Sequence, residues 1–169
     1  MKAFFVFLSI IGIAVFLFWA GYRAVAAIRY DINCGGHLKR AADANTVEMA
    51  KVELDVALQY MENNNLKSGF TSILYNTPDE DIGFWYNNIK SARAELDKVN
   101  ENTTQLERTN ILMKLRETLL DSSDGSVSVT APMGISVYPR NGILVTTCFF
   151  SLFVAIIGMI GAVIVWDNY

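Results

Sequence analysis

The chain has 169 residues, about one domain's worth, and 52% of them are hydrophobic while only 18% are charged. These averages describe no single part of it, because the apolar residues concentrate at the two ends and leave a middle of ordinary soluble composition. A single large globular core is therefore excluded. The net charge of -3 offers no basic surface to a nucleic-acid backbone, so we expect no nucleic-acid partner.

Two uncharged apolar stretches, residues 3–22 and 142–166, predict transmembrane helices. Twenty helical residues cover the roughly 30 Å of bilayer hydrocarbon, where only a helix can satisfy its own backbone amides. The first stretch also resembles a secretory signal peptide, but it is longer than the ~7–15 apolar residues typical of one. We therefore expect it to be retained, with the lipid bilayer as one partner of the chain.

Helical periodicity between the two stretches predicts a first helix over residues 38–62, which the asparagines at 63–65 end. A stronger start signal follows at Thr77, Pro78 and Glu80. The threonine can cap free amides, the proline loses no donor there, and the glutamate closes a capping box. We therefore predict that a second helix begins at this point.

Another capping box, formed by Thr104 and Glu107, predicts a third helix that runs to about Asp121. The alternative is one bent helix over residues 78–121, because asparagine and threonine weaken a helix without forbidding it. We favour two helices. In either case the apolar stripes must meet one another, which predicts an antiparallel bundle.

The segment before the second stretch changes to a two-residue period. Residues 126–130 and 134–138 alternate polar and β-branched side chains on either side of Pro132, which predicts a small β-hairpin. The expected fold class is an all-α membrane protein, in which two transmembrane helices flank an antiparallel bundle of about three helices and a small β-hairpin precedes the second span.

These signals divide the chain into six segments. The break after the first helix is predicted from the paired glycines Gly35 and Gly36, which cost roughly 1 kcal/mol each inside a helix. The predicted segments are a transmembrane helix with its membrane-proximal extension (1–29), a glycine-containing break (30–36), an extramembrane helical bundle (37–121), an extended segment or β-hairpin (122–141), a second transmembrane helix (142–166) and a short tail (167–169).

The second predicted span carries small residues spaced four, four, three and four apart, so that they share one helix face. Such a row lets a neighbouring helix approach closely, although small residues are also simply common in membrane helices. We interpret it as a helix-packing seam, directed either at another copy of the chain or at the small residues of the first span (Ser9, Gly12, Ala20 and Ala24). The seam consists of Thr147, Ser151, Ala155, Gly158 and Ala162.

Three consecutive aromatic residues, Phe84, Trp85 and Tyr86, form a candidate partner patch. On a helix they point in different directions, so we expect one ring in the core and the others available to a partner or to lipid headgroups. The acidic run at 79–81 lies in the expected first helical turn, where the helix dipole explains it without a function.

Metal and enzyme chemistry find little support in the sequence. Asp31, Cys34 and His37 are three residue types that bind transition metals, but a fourth ligand is not evident nearby. The sequence has no phosphate-binding glycine loop, nucleophile elbow or paired histidines. We therefore expect no metal, no cofactor and no enzymatic activity.

Orientation and function remain hypotheses at this point. We expect an integral protein, of a bacterial inner or plasma membrane. Positive residues lie mainly between the spans, which favours a middle region in the cytoplasm, whereas the signal-like start favours the opposite side. The first hypothesis is a non-enzymatic membrane scaffold or accessory subunit that self-associates or joins a larger membrane complex. A helical bundle between two spans is also similar in plan to the input domains of bacterial chemoreceptors, so the alternative is a sensor that binds a ligand and signals through a partner. A minor alternative is an oligomeric pore lined by Thr146, Thr147 and Ser151.

Overall fold

A computed structural model of the chain describes residues 1–123 and 126–167, so most of the predicted short tail lies outside the described residues. The chain divides into a terminal unit, which runs up to Ala27 and resumes at Pro139, and a middle unit, Ile28–Tyr138. Most of the described residues are helical. The elements are α1 (Lys2–Tyr30), α2 (Gly36–Ala42), α3 (Val47–Asn63), α4 (Ile82–Asp97), α5 (Gln105–Leu119), β1 (Leu120–Ser123), β2 (Ser126–Val129) and α6 (Asn141–Asp167).

Both helices of the terminal unit are long and apolar enough to cross a membrane. Only 11% and 17% of the residues in their most apolar stretches are buried, whereas the core helix of a soluble protein would be mostly covered. The first helical run, Ala3–Ala42, is longer than the roughly 30 Å hydrocarbon layer requires. Its uncharged part, which ends at Tyr22, is the part that suits such a layer.

The glycine-containing break predicted at residues 30–36 is a helical turn instead. A single π-helical turn, Asp31–Gly35, joins α1 to α2. It carries Cys34 into the core of the middle unit, and Leu38 follows one turn later, both fully buried. Burying one leucine side chain contributes about 1.5–3 kcal/mol, which offsets much of what two glycines cost in a helix.

The described residues of the middle unit form four α-helices rather than about three, because the predicted helix over residues 38–62 is divided. Helix α2 ends at Ala42, and Thr46 caps α3 by accepting a hydrogen bond from the Met49 amide at 3.2 Å. Helix α2 contacts α3 and α5, while α4 also contacts both α3 and α5, so the four contacts close a cycle. The core lies inside this cycle and includes Leu54, Met61 and other fully buried side chains (Ala50, Ala57, Ile82 and Leu96).

The start of α4 differs from its prediction. Residues Pro78–Glu80 form a separate 3-10 turn, in which the Thr77 hydroxyl donates to the Glu80 carboxylate at 2.6 Å. Helix α4 begins at Ile82, where Asp81 caps it by accepting from the Phe84 amide at 3.0 Å. Two capping signals compete within five residues, and the one nearer the buried Ile82 begins the helix.

Two separate helices, α4 and α5, follow, which confirms the two-helix interpretation over the single bent helix. The capping box at the start of α5 is also confirmed. The Thr104 hydroxyl accepts from the Glu107 amide at 3.3 Å, and the Glu107 carboxylate accepts from the Thr104 amide at 2.8 Å. These bonds satisfy two of the free donors at the helix start.

We expect Thr104→Ala to lower the free energy of unfolding by about 1 kcal/mol, because it removes a side-chain cap and leaves the Glu107 carboxylate without its hydroxyl partner. Chemical denaturation followed by circular dichroism would measure the change. Thr109→Ala is the matched control within the same helix, since its hydroxyl only donates to the Gln105 carbonyl one turn earlier. Equal losses for the two variants would contradict a specific role for the cap.

The β-hairpin exists, and its β2 confirms the predicted strand over residues 126–130, but β2 pairs with a strand before it and not with residues 134–138. Strand β1 pairs antiparallel with β2, so that Leu120 lies opposite Val129, and the two connecting residues lie outside the described residues. The predicted second strand, 134–138, instead contains a 3-10 turn, Ile135–Val137. Gly134 enters this turn with φ of +78°, a conformation that side-chain-bearing residues adopt rarely. The turn buries both Ile135 and Val137, whereas a strand would also have needed a partner strand at its edge.

Candidate functional site

The helix-packing seam lies where α6 contacts α1 within the terminal unit. Ser151, Ala155 and Gly158 are buried there, together with Ser9 and Gly12 from α1. A methyl group on Gly12 would lie 2.5 Å from the Ala155 amide nitrogen, and one on Gly158 would lie 2.7 Å from the Ser9 Cα. The two backbones therefore touch directly, and each glycine is needed because the other helix's backbone occupies the space of a side chain.

The two ends of the seam are less covered. Thr147 and Ala162 are half-buried, as is Ala20 on α1, while Ala24 is exposed. The seam thus faces the first helix of the same chain rather than an open surface. Phe5, which the sequence interpretation did not include, packs its ring against Gly161 on the same side.

Three hydroxyl groups were candidates for the lining of a pore. Each of them donates a hydrogen bond to a carbonyl of its own helix. Thr146 donates to the Gly142 carbonyl at 2.9 Å, Thr147 to the Ile143 carbonyl at 2.8 Å, and Ser151 to the Cys148 carbonyl at 2.9 Å. Ser151 is 1% exposed at the contact with α1, so within one chain it borders a neighbouring helix and not a channel.

The aromatic patch does not form one surface. Trp85 and Tyr86 are both buried, whereas Phe84 is 64% exposed. The Trp85 indole donates to the Thr130 carbonyl at 2.6 Å, and the Tyr86 hydroxyl donates to the Glu62 carboxylate at 2.8 Å. The expectation of one core ring is therefore corrected to two, because the neighbouring α3 and the segment after β2 supply partners for both polar tips.

Phe84 borders a cleft of about 560 Å³ within the middle unit. Trp85 forms part of the same lining, and three carboxylates (Asp79, Asp81 and Asp121) lie around it. Asp81 is occupied in part by its capping bond to α4. Among the residues that the structure describes, no lysine or arginine pairs with any of the three, so the cleft combines negative charge with an aromatic wall.

The three metal-binding residue types in the π-helical region do not converge. His37 Nδ1 lies 2.6 Å from a Glu53 carboxylate oxygen, and Arg40 lies 2.6 Å from the other oxygen of the same carboxylate. Cys34 is fully buried and Asp31 is exposed. The described part of the chain brings together no group of three histidine, cysteine or acidic side chains that could hold a metal ion. Arg40 instead forms an ion pair with the buried Glu53 carboxylate, His37 lies within hydrogen-bond distance of it, and both contacts hold α2 against α3.

Burial raises the pKa of the Cys34 thiol to about 12, even though the nearby Tyr30 hydroxyl acts in the opposite direction. A thiol in this state keeps its proton and reacts slowly, because the thiolate is the nucleophile. Burial likewise raises the pKa of the Tyr30 hydroxyl, and the proximity of Cys34 raises it further.

We expect Cys34 to resist alkylation at pH 8 in the folded chain and to react readily in denaturant, with Cys148→Ala removing the other thiol.

The same burial makes stability depend on pH. The unfolded thiol ionises near its ordinary pKa of 9.0, while the folded thiol ionises only near 12. The unfolded state therefore loses its proton first, and the stability present below pH 9 falls as the pH rises through this window. Cys34→Ala should lack that part of the pH dependence, and fast labelling of the native chain would contradict the prediction.

No protein-family model, curated protein or solved structure matches this chain. The described residues define the chain's class by architecture alone: a mostly helical protein with one small antiparallel hairpin and two helices that are long and apolar enough to cross a membrane.

Proposed function

We propose that this chain is a non-enzymatic integral membrane scaffold or accessory subunit that assembles into a larger membrane complex. In this proposal α1 and α6 are paired transmembrane helices, and the middle unit lies outside the bilayer in water. The α1–α6 contact carries the proposal, because its fully buried residues are small and many large apolar side chains of both helices point outward. Phe18, Phe149 and Phe153 are 77%, 71% and 62% exposed, which is favourable in lipid and costly in water.

The same contact supports retention of the first helix over cleavage as a signal peptide. Ser9 and Gly12 belong to the stretch that cleavage would remove, and they cover Ala155 and Gly158. Farther along, the same helical run continues through the π-helical turn and supplies Cys34 and other core residues of the middle unit (Leu38, Ala41 and Ala42).

Assembly is proposed to use the middle unit, since α1 already covers the seam. Three consecutive apolar residues in the loop before α4, Ile73, Leu74 and Tyr75, are 48%, 84% and 77% exposed. A run of large exposed apolar side chains favours a protein partner, either a second copy or another subunit.

The first experiment would extract membranes with carbonate at high pH and measure the mass of the gently solubilised chain. We expect the chain to resist extraction and to migrate as a complex. Leu74→Gln should weaken that complex, whereas Leu106→Gln, which changes an isolated leucine on α5 that is 70% exposed, should leave it intact. Release by carbonate would contradict membrane insertion, and a monomeric wild-type chain would contradict assembly.

The proposed orientation keeps the middle unit in the cytoplasm, on the side that the arginines favour. Cys34 is unsuitable for testing it, because a fully buried thiol stays unlabelled on either side of a membrane. Glu101→Cys, in the exposed turn between α4 and α5, in a chain with Cys148→Ala is the appropriate probe. If an impermeant thiol reagent labelled this cysteine in intact cells, the middle unit would lie outside the cytoplasm and the proposed orientation would be wrong.

The second candidate function is a membrane-anchored sensor, and the cleft beside Phe84 favours it. An aromatic wall with three carboxylates, none of which forms an ion pair with a described lysine or arginine, suits a small organic cation. Tetramethylammonium should then raise the melting temperature of the full-length chain, and Asp121→Asn should reduce the shift. An unchanged melting temperature with tetramethylammonium would contradict the sensor candidate and favour the scaffold.

A further inference from the structure

One end of the α1–α6 pair carries a cluster of two arginines and two aromatic residues. Arg140, just before α6, donates a hydrogen bond from Nη1 to the Tyr22 hydroxyl at 2.9 Å. The Arg23 guanidinium lies over the Trp19 ring, 5.4 Å from its centre. Trp19 precedes Tyr22 by three residues and Arg23 by four, so the three side chains are neighbours on one helix face. We name these four residues the arginine end.

The arginine end has positive charge without a protein counter-charge. Residues 1–27 and 139–166 contain no aspartate or glutamate. Both arginines are exposed, and neither pairs with a carboxylate anywhere in the part of the chain that the structure describes. The Trp19 indole nitrogen is enclosed and likewise has no acceptor among the described residues.

The two arginines are also held in place by the aromatic residues. The Tyr22 hydroxyl fixes one guanidinium and the Trp19 face supports the other, so less conformational freedom is lost when both bind one anion. Guanidinium groups bind phosphate oxygens through parallel hydrogen bonds, an arrangement for which lysine is less suited. The chemistry of the arginine end therefore matches a phosphate group.

We infer that the arginine end binds the phosphate of an anionic phospholipid headgroup. The inference rests on the proposed membrane insertion. If both helices cross a bilayer, the arginine end lies beside the lipid headgroups, and these are then the source of the phosphate. Arg23 directly follows one uncharged stretch and Arg140 precedes the other by two residues, which is the level of the headgroups in a bilayer. Basic sites between transmembrane helices at this level bind anionic lipid headgroups.

The test uses the full-length chain in lipid nanodiscs that contain phosphatidylglycerol and phosphatidylcholine, with native mass spectrometry to count the lipids that remain bound. We expect a preference for phosphatidylglycerol. Each of Arg23→Gln and Arg140→Gln should reduce it by about fivefold, the usual contribution of one basic residue at an anionic membrane surface. Tyr22→Phe should reduce it less, because it removes only the group that orients Arg140.

Arg29→Gln is the matched control, since Arg29 is an exposed arginine near the end of α1 that lies outside the cluster. An equal reduction in this variant would show a diffuse electrostatic attraction and overturn the inference. A melting-temperature increase with millimolar inorganic phosphate in detergent, as large as that with phosphatidylglycerol, would identify free phosphate as the ligand and overturn the lipid source. A chain that enters nanodiscs without lipid preference overturns only the inference, whereas failure to enter them overturns the proposed function as well.

Discussion

Gly158→Leu should force α6 away from α1 and lower the stability of the terminal unit by about 3 kcal/mol, the upper end of the usual cost of overpacking. The reason is that a side chain at this position meets backbone atoms. Its first carbon would lie 2.7 Å from the Ser9 Cα and 2.8 Å from the Phe5 carbonyl oxygen, and neither can rotate away. Thermal unfolding in mild detergent would measure the effect, with an expected decrease in Tm of roughly 10 °C.

The same two helices provide matched controls. A methyl group on Gly21 or on Gly142 would meet no atom within 4 Å, so Gly21→Leu and Gly142→Leu should unfold close to the wild-type temperature. Gly12→Leu should behave like Gly158→Leu, because its first carbon would meet Ala155. An unchanged Tm for the Gly12 and Gly158 variants would contradict the α1–α6 contact.

The second large effect is expected at Trp85. Trp85→Ala should lower the free energy of unfolding of the middle unit by about 3–5 kcal/mol, because it leaves a cavity where a buried ring stood. It also leaves the Thr130 carbonyl without its indole donor. Trp85→Phe keeps most of the apolar contact and loses the hydrogen bond, so its cost should be about 1–3 kcal/mol. Denaturant unfolding followed by circular dichroism would separate the two variants.

Phe84 is the control for this prediction, because it is the adjacent aromatic residue on the same helix and is largely exposed. Phe84→Ala should change the free energy of unfolding by at most about 0.5 kcal/mol. If Phe84→Ala and Trp85→Ala were equally destabilising, the burial of Trp85 and its bond to Thr130 would not be what stabilises this region.

The features that sequence reasoning predicted well are local ones. The capping box of Thr104 and Glu107 was predictable because both partners lie within one helical turn and satisfy each other's backbone donors. The start of α4 was misplaced because Thr77 and Asp81 are both acceptable caps, and the burial of Ile82 favours the second. That burial depends on contacts with other helices, which no local pattern reports.

The β-hairpin was predicted only in part, for a related reason. A two-residue alternation identified β2, but it also appears in residues 134–138, so periodicity alone paired these two segments with each other and missed β1. A better signal was present, because Asp124-Gly125 is a dipeptide that favours short hairpin connections, although its own conformation lies outside the described residues. Serines and an aspartate after Leu119, which are weak helix formers, also favoured an early end to α5.

By itself, the sequence determined the two apolar helices, the row of small residues on α6 and the capping box of α5, because composition, periodicity and capping act over a few residues. Only the tertiary structure decided that Gly158 faces Ser9 of the same chain, that Trp85 and Tyr86 are core residues, and that Cys34 continues a helix into the core. Each of these outcomes depends on surfaces contributed by residues far apart in the chain, and close packing determines which candidate face is covered.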